Sequence, residues 1–103
     1  MEYSYVWEKF FGATMSLVGE GSLKQRLEYA ANSILHLKNH AIPKDVEEDV
    51  LSLIADLTSG NQDGDEGRIH ATIKRMTDEE ARGTAKRILG IYDNIARHRK
   101  PHI

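Results

Sequence analysis

Residues 77–97, TDEEARGTAKRILGIYDNIAR, read as a helix from cap to stop. Thr77 can accept a hydrogen bond from the Glu80 amide while Glu80 reaches back to the Thr77 amide, which makes T-x-x-E a capping box. Asp78, Glu79 and Glu80 place negative charge on the first turn, where the helix dipole favours it. Ala81, Ala85, Ile88, Tyr92 and Ile95 then recur at helical spacing, and Leu89, Ile91 and Ala96 widen the stripe. Arg97, Arg99 and Lys100 supply positive charge at the far end, and Pro101 stops the helix. A helix of this length cannot bury its apolar face alone, so the rest of the chain must form the surface that receives it.

The remaining sequence supplies that surface in helical pieces. Residues 3–18 carry Tyr3, Val6, Trp7, Phe10, Ala13, Thr14 and Leu17 at i, i+3, i+4 spacing, with Gly12 as a weak point. After the break Gly19-Glu20-Gly21, Ser22 and Gln25 make a second capping box, and the stripe Leu23, Leu27, Ala30, Ile34 and Leu37 predicts a helix over 23–39. Pro43 suits the first turn of a third helix whose acidic start (Asp45, Glu47, Glu48, Asp49) and apolar face (Val46, Val50, Leu53, Ile54, Leu57) run to Thr58-Ser59-Gly60. A polar, glycine-rich loop, GNQDGDEG at 60–67, precedes a short fourth helix at 66–76 with Ile69, Ile73 and Met76 on one side. No strand pattern, repeat or low-complexity tract interrupts this order. The expected fold is one all-α domain over 1–103, a compact bundle of four main helices plus one short helix, with 98–103 as a frayed tail. The short connections at 19–21 and 41–43 imply antiparallel neighbours.

Charge and composition narrow the function classes. No apolar run approaches the ~18–20 residues of a membrane span. The first twenty residues lack a basic segment followed by an apolar one, so no signal peptide is expected. There is no cysteine, hence no disulfide and no thiolate chemistry, which fits a cytoplasmic protein. The net charge of -2 gives no global attraction to nucleic acid. The distribution is uneven, however. Residues 1–67 hold five basic and twelve acidic side chains, whereas 68–103 hold nine basic and four acidic. Arg82, Lys86, Arg87, Arg97, Arg99 and Lys100 therefore make a candidate basic surface for an acidic partner. Five of the seven aromatic residues, Tyr3, Tyr5, Trp7, Phe10 and Phe11, fall in the first helix. One helix face can bury only part of that set, so Tyr3, Trp7, Phe10 and Phe11 are the candidate interface with another chain, in the first instance a second copy.

No chemical motif is complete. The loop at 60–67 approaches a calcium site, but starting at Asn61 puts Glu66 where glycine belongs and Thr72 at position twelve, and starting at Ser59 leaves His70 there. His36 and His40 are four apart on the predicted second helix and so would share a face, a spacing that can bind a metal, but residues 37–39 are Leu, Lys and Asn and offer no catalytic base. Dinucleotide, phosphate-loop and serine-nucleophile motifs are absent. Arg97 and His102 fit R-x4-H, a spacing of some helical ribonucleases, at a proline-broken end. Residues 66–97 could make a helix-turn-helix, although the second helix is too apolar for a groove. No catalytic, cofactor or metal residue is therefore assigned.

Three stretches, WEKF at 7–10, SLKQRL at 22–27 and GDEGRIHATIKRMTDEEA at 64–81 running on to ILGIYD at 88–93, resemble a family of short, uncharacterised bacterial all-helical proteins. The resemblance implies a bacterial cytoplasmic protein and no particular activity. The expectation is thus a non-catalytic protein-interaction or regulatory module that self-associates as a homodimer. The alternatives are a nucleic-acid-associated regulator using the basic last helix and a small metal-binding protein or enzyme through His36 and His40.

Overall fold

The computed structural model describes residues 3–98. Among them are five α-helices and one 3-10 segment: α1 (Ser4–Leu17), α2 (Leu23–Ile34), the 3-10 segment Leu35–Asn39, α3 (Lys44–Leu57), α4 (Asp65–Lys74) and α5 (Asp78–His98). The all-α bundle expected from the periodicity is what the chain forms. No helix among the described residues is long and apolar enough to cross a membrane.

Local signals fix most boundaries. Both capping boxes close: the Gln25 amide donates to Ser22 Oγ at 3.2 Å and the Ser22 amide to Gln25 Oε1 at 2.9 Å. The Glu80 amide donates to Thr77 Oγ1 at 3.0 Å and the Thr77 amide to Glu80 Oε1 at 2.8 Å. Each box satisfies two amides that the helix start leaves without partners. The turn from α1 into α2 passes through Gly21 at φ 102, a left-handed conformation that costs glycine nothing. Arg26 clasps this corner, donating to the carbonyls of Leu17 (2.7 Å) and Gly21 (3.0 Å). Pro43 caps α3 in extended geometry.

One boundary departs from the pattern. The α-helical geometry expected to run to Asn39 ends at Ile34, and residues 35–39 tighten into a 3-10 turn. Two leucines account for it. In an α-helix Leu35 and Leu37 would point ~160° apart; at three residues per turn they stand ~120° apart, and both are buried. The last turn trades backbone geometry for two buried leucines. At the other end of the chain, His98, expected in the frayed tail, is the last residue of α5; residues 99–103 lie outside the described set.

The core is a continuous apolar cluster to which every element contributes, from Val6, Phe10 and Ala13 through Leu27, Ile34, Val50 and Leu53 to Ile73, Ile88 and Ile95. α2 sits centrally, against α1, α4 and α5. α1 and α5 lie antiparallel side by side: Tyr3 stacks on His98 at 5.7 Å, and Trp7 and Phe11 both approach Tyr92 at 6.3 Å. α3 flanks α5 on the other side, and α4 has α2 and α3 as its main neighbours.

Candidate functional site

α1 sorts the four aromatics proposed for an interface into different roles. Phe10 is fully buried, so it belongs to the core and not to a contact surface. The 100° step between adjacent helical residues then turns Phe11 outward, where it is 41% exposed. Trp7 is half-buried and stacks on Phe11 at 5.0 Å between ring centroids, with the planes 12° apart. Tyr3 is half-buried too, and its hydroxyl donates to Asp45 Oδ2 at 2.9 Å. Desolvation, with the hydrogen bond to Asp45 and its charge, raises the Tyr3 pKa above its ordinary value. Tyr3 thus ties α1 to the start of α3 and is an internal strut.

The outward strip is longer than the aromatic count suggests. Met15 and Val18 follow Phe11 at i+4 and i+7 and are 54% and 72% exposed. On the adjoining flank of α5, Leu89 is 43% exposed and Tyr92 half-buried beside Phe11. Trp7, Phe11, Met15, Val18, Leu89 and Tyr92 make an apolar face across the α1–α5 seam. The sequence reading missed Met15 and Val18 and assigned Leu89 to the buried stripe. The 7, 11, 15, 18 spacing was the available signal, a second helical stripe beside the Phe10 one. Adjacent contacts of this kind mark interaction sites more often than scattered single residues do.

Of the four described residues of the candidate basic surface, two are engaged within the fold. Arg87 turns toward α3 and donates to Asp56 Oδ2 at 2.7 Å and to Ser52 Oγ at 3.1 Å. Arg97 pairs with Asp93 at 2.9 Å. Arg82 and Lys86 are exposed and make no ion pair among the described residues, although Arg82 stands three and four positions after Glu79 and Asp78. Arg99 and Lys100 lie outside the described residues, as does His102, the second half of R-x4-H. A helix-turn-helix also lacks its geometry, since α4 packs on α2 and α3 rather than along the helix that would enter a groove.

The histidine pair is separated. The 3-10 segment contains His36, whereas His40 lies beyond it in extended conformation. Four residues at three per turn put two side chains ~120° apart, against ~40° in an α-helix, so the shared face on which a metal site depended is lost. The His40 ring packs on Tyr5 at 4.7 Å, its Nε2 3.4 Å from the Tyr5 hydroxyl. His70 Nδ1 stands 3.1 Å from both Glu28 carboxylate oxygens across α4 and α2. No group of three or more potential ligands is gathered among the described residues.

In the polar loop, Asp65 enters the first turn of α4, where Lys38 and Arg68 hold its carboxylate. The Lys38 hydrogen bond, reinforced by the charges of both cations, draws the Asp65 pKa below its ordinary value. The carboxylate best placed for a cation is therefore already engaged by protein. An open cleft of about 420 Å³ between α3 and α5 is lined by Asp49, Arg87, Gly90, Ile91 and Asn94. Its arginine is the one fixed by Asp56 and Ser52.

Compared with known proteins, the chain matches no family model, no curated protein and no solved structure.

Proposed function

We propose that this chain is a non-catalytic interaction or regulatory module that acts through the α1–α5 face and associates with itself. The observation that carries the reading is the row of apolar side chains left open on that face, Phe11, Met15, Val18 and Leu89, anchored by the half-buried rings of Trp7 and Tyr92. Aromatic and methionine side chains are the residue types enriched at the centres of protein interfaces. A second observation supports it: several of the side chains with the chemistry for other roles, Arg87, Asp65 and His70, have structural partners within the fold. The absence of cysteine suits a reducing compartment.

Light scattering coupled to size exclusion tests this on the wild type and on Phe11→Ser/Met15→Ser. The expected result is a dimer that becomes a monomer in the variant while its helical circular dichroism is kept. A wild type that remains monomeric up to several hundred micromolar would overturn self-association.

A further inference from the structure

We infer that Asp63-Gly64, in the polar loop before α4, is a modification site at which the aspartate isomerises to isoaspartate through a cyclic imide. The inference is independent of the α1–α5 face. An aspartate cyclises when the amide nitrogen of the next residue attacks its Cγ. The two atoms must be able to meet, and the nitrogen must be free of steric cover and of a competing hydrogen bond. Glycine as the next residue meets the steric condition, because it has no Cβ beside the attacking nitrogen.

The fold restricts that chemistry to one place. The chain has seven aspartates. Asp45, Asp49 and Asp56 lie in α3, Asp65 in α4, and Asp78 and Asp93 in α5. In a helix the Cα–Cβ bond tilts toward the N-terminus, so each of these carboxyls points away from the amide that follows it. Their successors, Val46, Val50, Leu57, Glu66, Glu79 and Asn94, all carry side chains. Asp63 alone lies outside a helix and alone precedes glycine. Both Asp63 and Gly64 are exposed. Among the described residues no cation pairs with the Asp63 carboxylate, and the Gly64 amide makes none of the loop and cap hydrogen bonds. Gly64 sits at φ 76, and a Cβ there would meet nothing within 4 Å, so the space beside its Cα is open.

The step balances with water as its only co-reactant. The Gly64 nitrogen forms a bond to Asp63 Cγ and loses its proton, and the carboxyl hydroxyl leaves as water. The succinimide ring then takes a water back. Attack at the former side-chain carbonyl restores aspartate. Attack at the main-chain carbonyl leaves the peptide running through Cβ and Cγ, with a free α-carboxyl on residue 63. That carboxyl is the group esterified by isoaspartyl methyltransferases, the class of enzyme that would act here. The isomer also adds a methylene to the main chain between two anchors. One is Gly60, whose amide donates to Thr72 Oγ1 at 2.8 Å; the other is Asp65, held by Lys38 and Arg68. The longer link loosens the start of α4.

To test this, the full chain is aged for several weeks at neutral pH and physiological temperature, folded and, in parallel, in concentrated guanidinium chloride. A purified isoaspartyl methyltransferase and peptide mapping then read the product. In the folded protein the methyl acceptor is expected to accumulate at Asp63 without change of mass, at a rate within a few-fold of that in denaturant. The helical aspartates are expected to react only in denaturant. Asp63→Glu keeps the charge but would need a larger ring, and should lower the acceptor signal of the folded protein by an order of magnitude. Circular dichroism confirms that this variant is folded. Three results would each overturn the inference: isoaspartate forming at Asp63 more than an order of magnitude more slowly in the folded protein than in denaturant, an Asp63→Glu variant that accumulates as much as wild type, or a signal that maps to Asn61 with the mass gain of deamidation. The separated isoaspartate form is expected to melt below the unaged protein, and equal melting would overturn the effect assigned to the start of α4.

Discussion

The two flanks of α5 use similar residue types to opposite ends. Toward α3 and the neighbouring loop and α4, polar side chains reach across elements and close on one another. Arg87 binds Asp56 and Ser52, Thr72 accepts from the buried Gly60 amide at 2.8 Å, and Asp65 is shared by Lys38 and Arg68. Toward α1, the seam is apolar, and two cations of α5, Arg82 and Lys86, make no ion pair among the described residues. One flank spends its polar chemistry on holding the fold; the other leaves apolar area and free charge at the surface. A surface basic residue is therefore a candidate for binding only after its intramolecular partners are known. The same sequence distance, one residue from Lys86 to Arg87, separates a free cation from a structural one.

The largest effect expected marks how deep the open flank goes. Phe10→Ala empties a fully buried site and should cost about 3–5 kcal/mol. Phe11→Ala removes an outward ring that stacks on Trp7 and lies tilted against Tyr92, and should cost no more than about 1 kcal/mol. Urea unfolding of the two variants separates them. Equal costs would mean that Phe11 is part of the core and that the open flank is not open.

The closed flank has a test of its own at Gly60. A Cβ there would lie 2.7 Å from the Arg68 carbonyl oxygen, 2.8 Å from Ala71 Cβ and 2.9 Å from the Thr72 amide nitrogen. Two of these three atoms are backbone and cannot swing away. Gly60→Ala should cost about 2–3 kcal/mol through displacement of the loop and loss of the amide bond to Thr72. Gly83, whose Cβ position meets nothing within 4 Å, gives the control: Gly83→Ala should stabilise by about 0.5–1 kcal/mol as an exposed helical position. Thermal melts of both variants sharpen the contrast, and a neutral Gly60→Ala would show that the loop is not pinned to α4.

A smaller difference is expected between the adjacent cations. Arg87→Ala removes a partly exposed ion pair and should cost up to about 1 kcal/mol, falling with added salt. Lys86→Ala should leave monomer stability within about 0.5 kcal/mol. Chemical denaturation at two salt concentrations reads both effects. A loss of stability from Lys86→Ala equal to that from Arg87→Ala would erase the distinction between the flanks.

Helix number, order and most ends were legible in the sequence because each rests on a local signal: the capping boxes at Ser22 and Thr77, the proline at 43, the glycine turn at 19–21. The core stripe of α1 was legible too, although it did not separate Phe10 from Phe11, since both residues are apolar and only the direction of approach of α2 and α5 decides which is covered. The 3-10 turn was not, because its cause is the burial of Leu35 and Leu37 by other elements, and with it went the reading of His36 and His40 as a pair. The partners of Arg87 lie 31 and 35 positions away, and those of Asp65 include one 27 away. No i, i+4 rule reaches that far, so surface charge was overestimated where it is used internally.

The least of the expected effects tests whether the closed flank is electrostatic in origin. The folded pKa of Asp65 lies below its ordinary value of 3.8 because Lys38 and Arg68 favour the carboxylate. The folded state therefore holds this proton less readily than the unfolded chain. By linkage, the contribution is fully present above the unfolded pKa and is lost as pH falls through the folded one. Asp65→Asn removes both ion pairs at neutral pH but keeps the shape, so it should be less stable than wild type at pH 6–7. The gap should narrow below about pH 4 and vanish once the wild-type carboxyl is protonated in both states. Denaturation of the two proteins side by side across that range measures it. A gap that stays constant with pH would mean that packing or the helix start at Gly64, and not the charge shared with Lys38 and Arg68, is what Asp65 contributes, and Arg87 with Asp56 would then be left as the electrostatic contact of the closed flank.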